Sequence, residues 1–187
     1  MGSVKNSLLV LLLILLIGCG GMTDDLFPSG SDKRPSVQCG VTGPSVCQIA
    51  PDFTLADTLG SSVTLSTVLS SVSPSVQGVV MYFTMWCPIC DGHMMHMVNN
   101  IIPSYPNVRF YAVDYVSGTI AEARQAEVTN GYAGSGLAVL ADTQNTVLGL
   151  YQATMGTTVV IDRTGVIRMN EDYKDGTRLL AALAALP

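Results

Sequence analysis

The chain is expected to fold as an α/β domain, a three-layer α/β/α arrangement around a central mixed β-sheet. Three observations predict this. The runs "GVVMYFT" (78–84) and "VRFYAVDY" (108–115) are continuous, apolar and rich in β-branched and aromatic residues, the character of strands buried on both faces. Each is followed by a stretch of helical pattern, at 88–102 and 119–132. Late in the chain "TTVVID" and "VIRMN" flank the turn Arg163-Thr164-Gly165, a hairpin in an otherwise alternating series of strands and helices.

The elements follow in order. "APDFTLADTLGSSVTLSTVL" (50–69) has short alternating stretches around a Leu59-Gly60 turn, then Ser66 as a helix cap. The buried run 78–84 leads into a cysteine motif and a helix over 88–102, closed by Pro103. "TIAEARQAEVTNGY" is an amphipathic helix that stops at Asn130-Gly131, where glycine suits a helix end. "GLAVLAD" is a further short strand and "TQNTVLGLYQ" a short helix. "DGTRLLAALAAL" closes the chain as a helix whose leucines repeat at helical spacing. There are no internal repeats.

The ends carry separate information. Lys5 precedes an unbroken apolar run at 8–17, too short to span a bilayer comfortably and of the length of a signal-peptide core. Leu16-Ile17-Gly18-Cys19 resembles the bacterial lipoprotein processing box. That resemblance implies a signal peptide at 1–18, lipid modification of Cys19 and an extracytoplasmic, membrane-anchored protein. Gly20 in place of aspartate favours the periplasmic face of the outer membrane. Residues 19–48, rich in Gly, Ser, Pro and Asp, read as a flexible tether. The globular domain is expected over 49–187. Charged residues make up 12% of the chain, its net charge is −5, and no Lys/Arg cluster exists, so a nucleic-acid-binding surface has no electrostatic basis.

The five cysteines sort into Cys19 and two pairs. Cys39 and Cys47 enclose the turn-forming "GVTGPSV" and read as a local structural disulfide, with a second redox relay as the alternative; their spacing matches no metal motif. The second pair, Cys87-Pro88-Ile89-Cys90, stands where a buried strand meets a helix. Backbone N–H groups and the positive end of the helix dipole stabilise a thiolate there, which makes Cys87 the nucleophile. Two intervening residues bring Cys90 close enough to resolve a mixed disulfide. Pro88 suits the first helical turn, where its missing N–H is no loss, and Trp86 covers the motif with a flat apolar surface. An inert disulfide is the bland alternative; a zinc knuckle requires a second ligand pair, for which only Cys39 and Cys47 are available.

With "APDFTLADTLGSSVTLSTVL", "VVMYFTMWCPIC", "VRFYAVDY" and "VVIDRTGVI" in view, the chain from Ile49 onward resembles a thioredoxin-fold protein of the TlpA/ResA type, within the broader redoxin (AhpC/TSA-like) group. The resemblance implies a membrane-tethered thiol–disulfide oxidoreductase. Its substrates would be protein disulfides or dithiols, its electron donor or acceptor another protein, and it would need no small cofactor and no metal. Two departures stand out. The family's cis-proline before the Thr-Thr strand is replaced by Gly156, which would border the substrate groove with Trp86 and Pro88. A cis bond ahead of a non-proline residue costs about 2.5–4 kcal/mol, so the groove is expected to be built differently. The glutamate that some relatives carry three residues after the second cysteine is replaced by His93, a proton acceptor or pKa tuner for the pair.

Two other chemistries fit parts of the motif. Peroxiredoxins share the fold, and Thr84 stands three residues before Cys87 as their motif requires, but Val80 occupies the place of their proline and "ATMGTTVVID" holds no arginine. A Cu(I)-binding or delivery role is suggested by the soft donors Cys87, Cys90, His93, Met94, Met95, His96 and Met97. "FTMWCPIC" is also similar to the Sco copper-delivery motif, but those proteins space their cysteines differently and use a distant histidine. Met94 and Met97, three apart on a helix, fit one buried stripe.

Overall fold

The computed structural model describes residues 37–72 and 75–187. The signal peptide, Cys19 and most of the expected tether lie outside them. A compact unit runs Val37–Pro187.

The strands are β1 (Thr54–Asp57), β2 (Ser62–Thr64), β3 (Gly78–Thr84), β4 (Val108–Asp114), β5 (Leu137–Ala141), β6 (Thr157–Asp162) and β7 (Ile167–Asp172). The helices are α1 (Leu65–Leu69), α2 (Pro88–His96), α3 (Ile120–Thr129), α4 (Thr146–Leu150) and α5 (Thr177–Ala184). The strands form one sheet in the order β2-β1-β5-β4-β3-β6-β7. Pairing is parallel within β3–β4–β5 and antiparallel elsewhere. This is the mixed sheet that the alternation of strands and helices predicts.

Every residue of β3 is buried, because both neighbouring strands are paired and both faces are covered. Its side chains alternate between two cores. Val80 and Tyr82 pack with Cys90, Met94 and Met97 of the α2 segment and Leu179 and Leu183 of α5. Val79, Met81 and Phe83 pack on the opposite face with Leu65 of α1, Val147 of α4 and Tyr151. The sheet thereby separates two helical layers.

Three local differences from the sequence expectation have clear causes. First, α1 begins one residue earlier than Ser66, with Thr64 at its N-cap position. The cap is supplied from outside the helix by Asp52, whose carboxylate accepts from the Ser66 N–H (3.0 Å) and hydroxyl (2.7 Å). Second, the helix expected over 88–102 leaves α geometry after His96, continuing as a π-helical turn (Met97–Ile101) and a 3₁₀ turn (Ile102–Ser104). Pro103 has no N–H to offer the preceding turn, so the α ladder cannot run through it.

Third, the Cys39–Cys47 loop belongs to the compact unit rather than to the tether. Cys39 and Cys47 are joined by a disulfide. The segment after it lies along β7: Cys47 donates to the Ile167 carbonyl (2.9 Å), Ile167 to Gln48 (2.9 Å) and Ala50 to Gly165 (2.8 Å). The Asn170 amide ties Pro44 (2.7 Å) and Tyr151 (3.0 Å) through their carbonyls. β7 is an edge strand, and this strap occupies backbone groups that an edge would otherwise expose.

Candidate active site

The cysteine pair sits at the carboxyl end of β3, beside the carboxyl end of its parallel neighbour β4. Open α/β sheets place their sites at this edge, because loops leaving parallel strands diverge there. Cys87 is the N-cap of α2, with Pro88 in the first turn. Its sulfur accepts the Cys90 N–H (3.2 Å), one of the donors that a helix start leaves unpaired. Cys87 Sγ is 2.6 Å from Cys90 Sγ; Cys87 is half-buried and Cys90 fully buried.

Burial pushes the Cys90 thiol up, but hydrogen bonds with the Cys87 thiol, the Met85 and Cys87 backbone and the Thr84 hydroxyl outweigh it, leaving Cys90 below the ordinary thiol range. Tyr82, on β3, is buried in the same core cluster as Cys90. Its hydroxyl is 3.0 Å from His93 Nδ1. Burial, with added repulsion from the nearby Cys90 and Cys87, raises the Tyr82 pKa far above that of a free phenol, so it stays protonated.

His93, on the first turns of α2, is half-buried and does not contact the sulfurs directly; its partner is Tyr82. Burial, and secondarily the charge of His96, lower its pKa below the usual imidazole range. Its ring lies 4.7 Å from that of Tyr173, tilted by 40°, and the Tyr173 hydroxyl meets His96 Nδ1 at 2.5 Å. Burial raises the Tyr173 pKa to about 12, with Asp175 adding to the shift.

Trp86 takes a left-handed backbone (φ 60°), a sparsely populated conformation for a bulky side chain. Its N–H donates to Thr84 Oγ1 (3.1 Å) and its indole Nε1–H to Asp114 Oδ2 (2.8 Å). The indole leans on Tyr132 at 6.2 Å, and Tyr132 donates to Asp91 Oδ1 (2.6 Å), fastening the start of α2. Pro88, Ile89 and Met85 stand exposed around the pair; Ile89 is 60% accessible.

Gly156 is buried and has φ +86°, with its N–H donating to the Phe83 carbonyl (2.9 Å) and its carbonyl accepting from Tyr173 (2.8 Å). Proline fits neither the dihedral nor the donor role, so the glycine builds a different connection between β6 and the motif. From this loop the half-buried Met155 packs against the α2-side core, which includes Cys90.

The soft donors do not converge. Met94 and Met97 are core residues, Met95 points to solvent, and His93 and His96 are engaged by tyrosines. Among the described residues no group of three His, Cys, Asp or Glu side chains is arranged to hold a metal ion.

Tyr82, Asp114, Tyr173 and Met155 are the participants that sequence reasoning missed. Two of them left a trace. Tyr82 places a polar tip inside an apolar strand, and Asp114 ends another such strand at its functional edge.

A mixed sheet flanked by helices, with a Cys-x-x-Cys pair where the central strand meets a helix, defines a thioredoxin-like domain. The chain belongs to the AhpC/TSA family, which it matches over residues 46–170. Solved structures of the same fold include a proposed thiol:disulfide interchange protein DsbE from Chlorobium tepidum (24% identity, TM-score 0.57, covering 72% of this chain and 95% of that one). They also include the exposed lipoprotein thioredoxin of Streptococcus pneumoniae (23%, 0.53, 73% and 100%). A third is the peroxidoxin BcpB of Mycobacterium tuberculosis (20%, 0.55, 73% and 92%). No curated protein matches the chain significantly. The α/β fold and the redoxin group that the motifs indicate are thus the observed ones. Among the described residues no helix is long and apolar enough to cross a membrane.

Proposed function

We propose that this protein is a lipid-anchored, extracytoplasmic thiol–disulfide oxidoreductase of the TlpA/ResA type, acting on protein disulfides or dithiols through Cys87 and Cys90. The observation that carries this reading is the half-exposed Cys87 sulfur 2.6 Å from the buried Cys90 sulfur at the first turn of α2. An exposed nucleophile backed by a buried resolving thiol is the arrangement that disulfide exchange requires. The lipid anchor rests on the N-terminal residues ending at Cys19.

In the reducing direction, Cys87 gives up its proton to solvent and its thiolate attacks one sulfur of the substrate disulfide. A Cys87–substrate disulfide forms and the second substrate sulfur leaves as a thiolate. Cys90 then loses its proton and attacks Cys87 Sγ, releasing the first substrate sulfur. The Cys87–Cys90 pair ends oxidised by two electrons and the substrate reduced by two. A partner protein restores the dithiol, and oxidation of a substrate dithiol runs the same steps in reverse. Trp86, Pro88, Ile89 and Met155 supply an apolar rim against which an extended substrate segment can lie.

The test is exchange with a disulfide-bonded protein substrate. Cys87→Ser abolishes it, and Cys90→Ser accumulates covalent mixed disulfides visible on non-reducing gels; full activity in Cys87→Ser overturns the reading.

A peroxidase reading draws on the AhpC/TSA family and the Thr84 hydroxyl beside Cys90. Against it stands the placement of the cations. Arg124, Arg168 and Arg178 pair with Glu127, Asp162 and Glu171, while Arg109 and Arg163 lie toward the opposite edge of the sheet. With none of the described arginines at the cysteines, an arginine-assisted activation of peroxide has no support among the described residues, and peroxide turnover is expected to be slow beside disulfide exchange.

A further inference from the structure

We infer that a second binding site, for a small carboxylate with a short apolar body, lies between α1 and the amino end of β4 and is built on Arg109 and Tyr111. It goes beyond the thiol–disulfide reading and does not depend on it. Arg109 and Tyr111 are two apart on β4 and so share one face of the sheet, the face on which Tyr111 packs in the same core as Leu65 of α1. Both line a cavity of about 250 Å³, walled by Val63 of β2, Thr67 and Val68 of α1, and Val76. The strand register leaves the room for it. β5 begins opposite Phe110, so no strand flanks Arg109 on that side, while Val79 is its partner on the other.

Neither polar group has a task within the fold. Arg124, Arg168 and Arg178 are held by carboxylates, but Arg109 has no hydrogen bond or ion pair among the described residues. Tyr111 is 8% exposed, and its hydroxyl also lacks a hydrogen-bond partner among them. A phenol so deeply set ordinarily finds a partner. None of the sealed side-chain oxygens of these residues is left unpaired, so the Tyr111 hydroxyl opens on the cavity that its residue lines. The carboxylate that acts on Tyr111, Asp57, is occupied by the Leu59 and Ser61 N–H groups (2.9 and 2.8 Å) and lines a different cavity.

The lining selects the ligand. A planar guanidinium takes both oxygens of a carboxylate, and the Tyr111 hydroxyl supplies a further donor. Val63, Val68 and Val76 offer an apolar wall to the rest of the molecule, and a cavity of this size admits only a short body. A phosphate ion would set its second charge against the valines with a single cation to balance it. The site also stands apart from the cysteines. Arg109 is in register with Val79, and the stretch of β3 from there to Thr84 is about 16 Å long.

Titration of the isotope-labelled full chain with sodium hexanoate, followed by two-dimensional NMR, tests the assignment. Saturable shifts are expected at the amides of Val68, Arg109 and Tyr111, with none at Cys87 and Cys90. Hexanamide has the same shape without the charge, and inorganic phosphate has the charge without the apolar body. Each should bind at least about tenfold more weakly than hexanoate. Arg109→Gln should lower the hexanoate affinity at least about tenfold, and Tyr111→Phe about fivefold. Because neither group holds the fold, both variants should unfold at the wild-type temperature, so that lost binding is not lost structure. Absence of saturable shifts at about 10 mM hexanoate overturns the site, as does an unchanged affinity in Arg109→Gln or a set of shifts centred on the cysteines. Equal binding of hexanamide, or tighter binding of phosphate, overturns the carboxylate as the ligand. Failure of disulfide exchange would overturn the thiol–disulfide reading and leave this site standing.

Discussion

The Trp86 indole N–H donates to Asp114 across 2.8 Å, joining the loop that enters the cysteine motif to the end of β4. Asp114 is fully buried and also accepts from the Val116 and Ser117 N–H groups (3.0 Å each) and the Ser117 hydroxyl (2.6 Å). A carboxylate with four donors holds Trp86 in a left-handed conformation that costs about 1–3 kcal/mol when unsupported. Asp114→Asn presents a donor where two acceptor sites were needed. A loss of about 2 kcal/mol in unfolding free energy follows. Trp86 is the chain's single tryptophan, so its fluorescence reports the site alone; the variant's emission should move to longer wavelength as the indole loosens.

Alkylation should separate the two thiols. In the reduced protein Cys87 is half-buried and Cys90 fully buried. A brief pulse of iodoacetamide under native conditions labels Cys87 and spares Cys90, read by mass spectrometry of the digested chain. Equal labelling of both would contradict the observed packing.

Restoring the family's proline at position 156 should be harmful. Gly156→Pro removes the hydrogen bond to Phe83 and cannot reach φ +86°, a cost of about 3 kcal/mol or more. Gly156→Ala meets open space, with no atom within 4 Å of the added carbon, and pays only the backbone strain, about 1–2 kcal/mol. Urea unfolding of the two variants checks the order.

Asp162 predicts an acid limb of stability. Burial raises its pKa, but hydrogen bonds from Thr164, Val166 and Arg168 outweigh that and hold the carboxyl below its ordinary value. A depressed folded pKa stabilises fully above the unfolded value of about 3.9 and is lost as pH falls through the folded pKa. Asp162→Asn should therefore cost about 2–3 kcal/mol at pH 7. The gap from wild type should close below about pH 4, as the wild-type carboxyl protonates. Arg168 is 44% exposed, so screening limits the ion pair's share and added salt should change the gap little.

The Cys39–Cys47 disulfide closes a short loop, with a sequence separation of 8. Cys39→Ser/Cys47→Ser is expected to lower stability by about 2 kcal/mol through the freed strap on β7. The rate at which Cys87 reacts with small disulfides should stay unchanged, which separates a structural disulfide from a relay.

Much of this molecule was legible in the chain. The apolar runs at 78–84 and 108–114 announced strands buried on both faces because they are short, continuous and rich in β-branched and aromatic residues. Cys87, Pro88 and Cys90 announced a helix start because their chemistry and backbone demands coincide there. Ser66 misled, because a serine ahead of an apolar run looks like a cap whether or not a distant Asp52 takes that role. The tail of α2 was misread because periodicity does not reveal where an α ladder passes into a π turn.

By itself, the sequence determined the alternation of strands and helices, the position of the cysteine pair at a strand–helix junction, and the absence of proline where the family has one. These depend on local periodicity, on turn chemistry and on residues adjacent in the chain. Only the tertiary structure decided that His93 meets the Tyr82 hydroxyl, that Asp114 carries Trp86, and that Tyr173 closes over both α2 histidines. Each of these depends on which face of a strand meets which face of a helix, set when the sheet packs between its two helical layers. Residues as distant in sequence as His96 and Tyr173 become partners only then.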